Sequence, residues 1–173
     1  IDPAELLGGN FTAANRSLAF GGTITVNPGS TLTLDGGRVS AASLLNFGTL
    51  DFVTGTLALT GDDVEVDFGG LLGRTPTLTT GQNLAATNSV NISSVGLLTI
   101  DGGSVTAGTL SNGGIVQMTG LASLIDGGAL DNNGTLYGTG VVNASMSNNS
   151  GGEVRADAGD MLVFNGAGNT NSG

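Results

Sequence analysis

Short stretches of strict polar–apolar alternation recur along the whole chain. Thr23-Ile24-Thr25-Val26, Thr31-Leu32-Thr33-Leu34 and Val64-Glu65-Val66-Asp67-Phe68 each put every second residue on one apolar face, the period of a half-buried strand. Thr, Val and Ile are frequent there, as a pleated surface favours. Asn-Pro-Gly, Asp-Gly-Gly, Asn-x-Gly and Thr-Gly separate the stretches, and Asn and Gly tolerate the left-handed backbone that tight bends require. Only residues 2–7 read as helical, with Asp2 as N-cap, Pro3 in the first turn and Glu5 at the third helical position. The pattern predicts an all-β chain.

Internal repetition decides between β architectures. Leu32-Thr33-Leu34-Asp35-Gly36-Gly37-Arg38-Val39 lies over Leu98-Thr99-Ile100-Asp101-Gly102-Gly103-Ser104-Val105 without a gap. The match continues in the same register through Leu44–Leu50 over Leu110–Val116, and a third Asp-Gly-Gly stands at Asp126-Gly127-Gly128. The phrase Leu-x-Asn-x-Gly-x-Leu/Val returns at Leu130–Leu136 and, more loosely, from Met146 to Val154. Its glycines Gly114, Gly134 and Gly152 recur at about 20 residues, which is too short for helical-pair repeats and suits one coil of a parallel β-helix.

The expected fold is therefore a parallel β-helix (a β-solenoid) with coils of about 18–22 residues. Leu44, Leu110 and Leu130 are expected at equivalent inward positions, as are Leu50, Val116, Leu136 and Val154. Asn46, Asn112, Asn132 and Asn148 are expected at one recurring bend, where stacked Asn side chains can satisfy buried backbone groups. Eight or nine coils at strand spacing make a rod of roughly 40 Å. An antiparallel sandwich has the turns it needs but does not predict an ungapped self-match followed by short regular steps. Residues 1–19 are expected to form an N-terminal cap or docking segment and residues 20–173 the solenoid, which the polar run at the C-terminus suggests continues further.

Composition narrows the function. Aromatics are 4% of the 173 residues and Trp is absent, so the core is thin and built from Leu, Val, Ile and Ala. Gly supplies 32 residues, but the mean hydropathy of +0.24 and the spaced aliphatics argue against disorder. The cations are Arg16, Arg38, Arg74 and Arg155, and the net charge is −10. Such a field opposes nucleic acid and anionic membrane, and no apolar run approaches a membrane span. Without Cys there is neither a disulfide framework nor a thiolate metal site. Without Lys an internal Lys–Asn cross-link and a phosphate-binding GxxxxGK[ST] loop are both impossible.

Candidate chemistry is sparse. With no His, imidazole bases and ligands are out, and no catalytic residue or cofactor is expected. The Gly-Gly pairs do not form GxGxxG between strand and helix and read as turns. The enzymatic rival is a glycan-degrading β-helix, which needs two carboxyls facing one groove. Asp62, Asp63, Glu65 and Asp67 are the dense acidic cluster, with Arg74 the nearby cation, and the ordinary reading makes Glu65 and Asp67 outward residues of an alternating strand. Asp35, Asp101 and Asp126 each open an Asp-Gly-Gly and are the candidate calcium ligands if they stack, against their ordinary role in turns. Six sequons, at Asn10, Asn15, Asn91, Asn133, Asn143 and Asn148, are the glycosylation candidates.

The phrase from Asn132 through Gly134, Tyr137 and Gly140 to Val142 resembles the β-strand repeats of large bacterial exported proteins. These include autotransporter passengers and PEP-CTERM-type surface proteins, and Ser150–Ala156 and Phe164–Thr170 read the same way. The resemblance implies that the all-β fold is a right-handed parallel β-helix (β-solenoid), secretion to the bacterial cell surface and a role in adhesion, matrix or filaments. It transfers no catalytic residue. The expected partner is a second copy of the chain, joined head to tail through Leu6, Leu7, Leu162 and Phe164, with glycans as a further candidate. The alternative function is a carbohydrate-binding or carbohydrate-degrading β-helix.

Overall fold

A computed structural model describes residues 9–173. The helix expected at residues 2–7, together with Leu6 and Leu7, lies outside the described residues. Those described form β-strands, turns and bends and no helix. The first coil contains β1 (Phe11–Ala14), β2 (Ser17–Ala19) and β3 (Thr23–Val26). The second contains β4 (Thr31–Asp35), β5 (Gly37–Ala41) and β6 (Ser43–Asn46), and the third β7 (Thr49–Phe52), β8 (Gly55–Leu59) and β9 (Val64–Val66). Higher up, strands run on through the bends. β10 (Thr77–Thr79) with β11 (Gln82–Ile92), and β12 (Leu97–Asp101) with β13 (Ser104–Asn112), form the fourth and fifth coils. β14 (Ile115–Asn132) is the sixth coil by itself. β15 (Thr135–Val142) and β16 (Ser145–Asn148) form the seventh, and β17 (Glu153–Arg155), β18 (Leu162–Phe164) and β19 (Thr170–Asn171) the eighth.

Every paired strand lies parallel to its partner one coil away, so the chain is a β-solenoid of about 8 coils. Each coil has three sides. Face A carries β1, β4, β7, β10 and β12, face B carries β2, β5 and β8, face C carries β3, β6 and β9, and the longer strands wrap from one face to the next. The coil step is uneven, short from Ala129 to its partner Ser145 and long from Gly55 to its partner Gln82. The pairing of Phe11 with Leu32 and of Leu18 with Val39 carries the ladder down to Phe11. The solenoid thus begins inside the segment expected to cap it, because its first coil keeps the alternation while lacking the Asp-Gly-Gly phrase.

The core is one side chain deep and arranged in columns. On face C, Val64, Val90, Leu110, Leu130 and Met146 are successive partners, with Leu44 over Ile24 lower on the same face. On face A, Leu98, Val116, Leu136 and Val154 are successive partners, and Leu32 pairs with Leu50. Burial of these aliphatics is the main favourable term holding the coils together. The bends demand small residues. Gly36 and Gly102 have φ of +73° and +74° at the corner between faces A and B, which only Gly adopts freely. At the corner between faces C and A, a Cβ on Gly134 would collide with the Gly114 carbonyl oxygen, so glycine is stacked on glycine.

One polar column is buried with the aliphatic ones. Asn112, Asn132 and Asn148 stack at the end of face C, with relative exposures of 0, 0 and 4%. Asn112 Nδ2 donates to Asn132 Oδ1 at 2.7 Å, and Asn132 Nδ2 to Asn148 Oδ1 at 2.7 Å. Asn148 Nδ2 then donates to Asn171 Oδ1 at 2.8 Å. The second amide hydrogen of Asn112 goes to the Thr135 carbonyl and that of Asn132 to the Glu153 carbonyl, each at 3.0 Å. Oδ1 of Asn112 accepts from Gly114 N–H at 3.1 Å, closing the local bend as well. These amides therefore meet the rule that buried polar groups find partners. Asn46 stands over Val26 on the same column but outside the ladder, and its Oδ1 accepts only from Gly48 N–H at 3.3 Å.

Two stability measurements follow, both by reversible denaturant unfolding. Leu110→Ala, at a fully buried rung, is expected to cost about 2–5 kcal/mol; a loss below about 0.5 kcal/mol would contradict the column. Asn132→Ala strands an amide donor on Asn112 and an acceptor on Asn148, and is expected to cost about 1–3 kcal/mol per stranded group. Asn46→Ala, with no Asn neighbour, is expected to cost less than about 1 kcal/mol. Equal costs at Asn132 and Asn46 would show that the ladder contributes nothing.

Candidate functional site

The three Asp-Gly-Gly aspartates do not come together. Asp35 and Asp101 occupy the same A/B corner, but coils between them separate their rungs, and each accepts from a threonine in the coil above. Thr54 Oγ1 donates to Asp35 at 3.4 Å and Thr119 Oγ1 to Asp101 at 2.8 Å. Asp126 belongs to another bend, because its partner is Thr106 on face B. The stacking on which calcium binding depended is not found, and these side chains are bend residues on separate rungs, as in their ordinary reading. Among the described residues no group of three or more metal-ligating side chains converges.

The acidic cluster lies on face C of the third coil. Asp62, Asp63 and Glu65 line a cleft of about 200 Å³ with Leu44, Leu45, Leu59 and Leu71. Two of its carboxylates already accept hydrogen bonds from the coil above, Asp63 from Ser89 N–H at 3.0 Å and Glu65 from Asn91 Nδ2 at 2.7 Å. Asp67 turns away to accept from Gly69 N–H at 2.8 Å. Arg74 sits over the exposed Phe68 ring, 4.6 Å from its centroid. Three carboxyl-bearing side chains thus face one cleft, the arrangement a glycan-degrading β-helix needs, and two of them are already hydrogen-bonded to the coil above.

The sequons divide by burial. Asn10, Asn15, Asn133 and Asn143 lie at bends and all four are exposed there. Asn133 and Asn143 also accept from Asn149 and Asn165, each at 3.1 Å. Asn91 commits its Nδ2 to Glu65. Asn148 is a buried member of the ladder, so the folded chain does not offer its amide nitrogen for modification. That sequon is corrected: its Asn is there for the column.

The remaining chemistry concentrates on face B. Outward side chains there are mostly small, with Ser17, Arg38, Thr56, Asn83 and Ser104 in one column and Ala19, Ser40, Ala58, Ala85 and Thr106 in the other, Arg38 being the one long side chain among them. The face is accordingly hollowed. A polar concavity of about 270 Å³ at its lower corner is lined by Arg16, Ser17, Arg38, Thr56 and the corner glycines. Arg38 also borders a second, higher hollow over Ala58 and Ala85. Arg155 by contrast pairs with Glu153 at 3.5 Å and Asp157 at 3.2 Å and lies over Tyr137. Neither Arg16 nor Arg38 has an ion pair among the described residues. Their pairing is invisible in the sequence, because the two arginines stand a full coil apart and meet only through stacking.

At the upper end, Leu162 and Phe164 occupy positions opposite Gly140 and Val142. They cap the core only in part and stay half-buried. Asn171 is exposed beside them at the end of the ladder. No helix among the described residues is long and apolar enough to cross a membrane. No family model, curated protein or solved structure matches the chain.

Proposed function

We propose that this chain is a structural and adhesive β-solenoid, exported to a bacterial surface, that associates end to end with copies of itself and catalyses no reaction. The observation that supports the reading is coil-on-coil stacking itself. Each described strand pairs parallel with a strand one coil away, and Leu162 and Phe164 on the last described coil are half-buried, a surface that a further coil covers, whether of the same chain or of a second copy. Unpaired strand edges are templates for another chain, and a head-to-tail contact propagates unless rotation closes it. The net charge of −10 opposes lateral clumping of the rods, although Phe47, Phe68 and Leu121 stand exposed on their sides.

Light scattering over a range of concentrations tests this on the full chain and on the chain lacking residues 1–9. Mass that rises with concentration, altered by the truncation, is expected. Strictly monomeric behaviour of both forms at high concentration overturns it.

A second reading, contact with an acidic glycan, is favoured by Arg16 and Arg38 in the face B hollow, which have no ion pair among the described residues. Both edges of the inner face B strands are used by the ladder, so no peptide strand can add there. Recognition falls to arginines and hydroxyls, which suit carboxylate-bearing sugars. A short linear oligouronate is expected to bind weakly at low salt. Arg38→Gln should weaken it about tenfold, and the neutral counterpart should not bind. Equal binding of both oligosaccharides removes this reading.

A further inference from the structure

The coil-to-coil hydrogen bonding is interrupted at one level of the rod. On face C, β6 bonds only to β3 below and β9 only to β11 above; on face A, β7 bonds only to β4 and β10 only to β12. Face B alone passes this level intact, through β5, β8 and β11. The interruption thus runs around two of the three sides, through the corner between faces C and A.

The sequence shows its origin. Residues 60–63 separate β8 from β9, and residues 67–76 separate β9 from β10. The equivalent of the second bend takes only residues 113–114 or 133–134 higher up. The added residues lift one coil off another and are then folded back into the opening. A Cβ on Gly70 would collide with the Glu65 carbonyl oxygen, so this bend is pressed onto β9, and Leu71 and Leu72 pack against the core.

Burial marks the same level. Leu50 and Phe52 of β7 are half-buried, whereas Leu32 and Leu34 in the coil below, and Leu98 and Ile100 above, are fully buried. Half-burial of core-packed side chains is otherwise found towards the two ends, at Phe11, Leu18, Val154, Leu162 and Phe164. On face A the rod thus has an end-like rung in its interior, whereas Val64 and Val66 on face C stay fully buried. A single side chain bridges it on face A: Gln82 Nε2 donates to the Phe52 carbonyl of β7, while its Oε1 accepts from Thr79 N–H of β10 at 2.6 Å.

We propose that this seam is a hinge. The rod consists of two stacks, residues 11–59 and residues 64–171, that open about face B, with the bend at 67–76 as a strap and Gln82 as a latch. In a stacked-coil protein each coil is held by its neighbours alone, so the interface with the fewest coil-to-coil bonds opens first, below the free energy of global unfolding. Opening frees the facing edges of β6, β7, β9 and β10, which can then pair with an added strand.

Native-state hydrogen exchange of the full chain in rising, sub-denaturing urea tests the hinge. Once the seam opens, β6 and β7 become terminal rungs bonded to β3 and β4 alone and fray, so their amides are expected to lose protection at urea concentrations that leave β12 to β15 protected. Gln82→Ala is expected to speed exchange in β6 and β7 about tenfold and leave β12 to β15 unchanged. Gln82→Glu keeps the acceptor for Thr79 but loses the donor to Phe52, and should act in the same direction should the alanine variant fold poorly. Exchange of all these strands through one global opening, with one urea dependence, overturns the proposal. So does a latch variant that speeds β12 to β15 as much as β6 and β7.

Discussion

Hydrogen bonds that run along the rod, between one coil and the next at a spacing of about 4.8 Å, govern everything else in this molecule. At that distance a side chain cannot choose its neighbours independently of its column. An aliphatic needs an aliphatic above and below it, as from Val64 to Met146 on face C. A bend needs a residue small enough to lie under its own copy, as Gly134 lies on Gly114. A buried amide needs another amide. The scarcity of aromatic residues belongs to the same constraint, since a core one side chain deep leaves little room for rings.

That constraint made much of the fold legible in the sequence. Alternation marks the strands, and the recurrence of Leu-x-Asn-x-Gly placed Leu110 on Leu130 and Asn112 on Asn132, as found. What escaped was of two kinds. Some residues share a local phrase but not a place: Asp126 opens an Asp-Gly-Gly like Asp35, yet its bend lies between different faces, because the chain distance to a corner varies from coil to coil. Asn148 likewise carries a sequon without being accessible. Others share a place without a phrase. Arg16 reaches Arg38, and Asn171 joins the ladder, only after the coils are stacked, and the uneven coil steps blur any fixed spacing.

The surface follows a looser logic than the core. Outward positions need only avoid crowding, so Thr, Ser, Asn and Asp fill them, and threonine hydroxyls bridge neighbouring coils at Asp35 and Asp101. Where the outward residues shrink to Ser and Ala the face becomes hollow, and two cations stand beside that hollow in a strongly acidic chain. Where the coil lengthens instead, hydrogen bonding between coils is lost and leucines from the bend fill the opening. Both departures from the repeat are local, and the columns resume beyond them.

The asparagine ladder also has a direction. Each amide offers its hydrogens upward and its oxygen downward, an orientation fixed by Gly114 N–H at one end and Gly173 N–H at the other. The ladder begins above Ile92, which asks nothing of its neighbour, and each member thereafter requires an acceptor from the next coil. The stack therefore works as a one-way template. A coil stacked on Asn171 is selected for an oxygen at that rung, whereas the rung beneath Asn112 is the apolar Ile92, which makes no such demand. The two ends of the ladder differ in chemical selectivity although they are built from the same repeat.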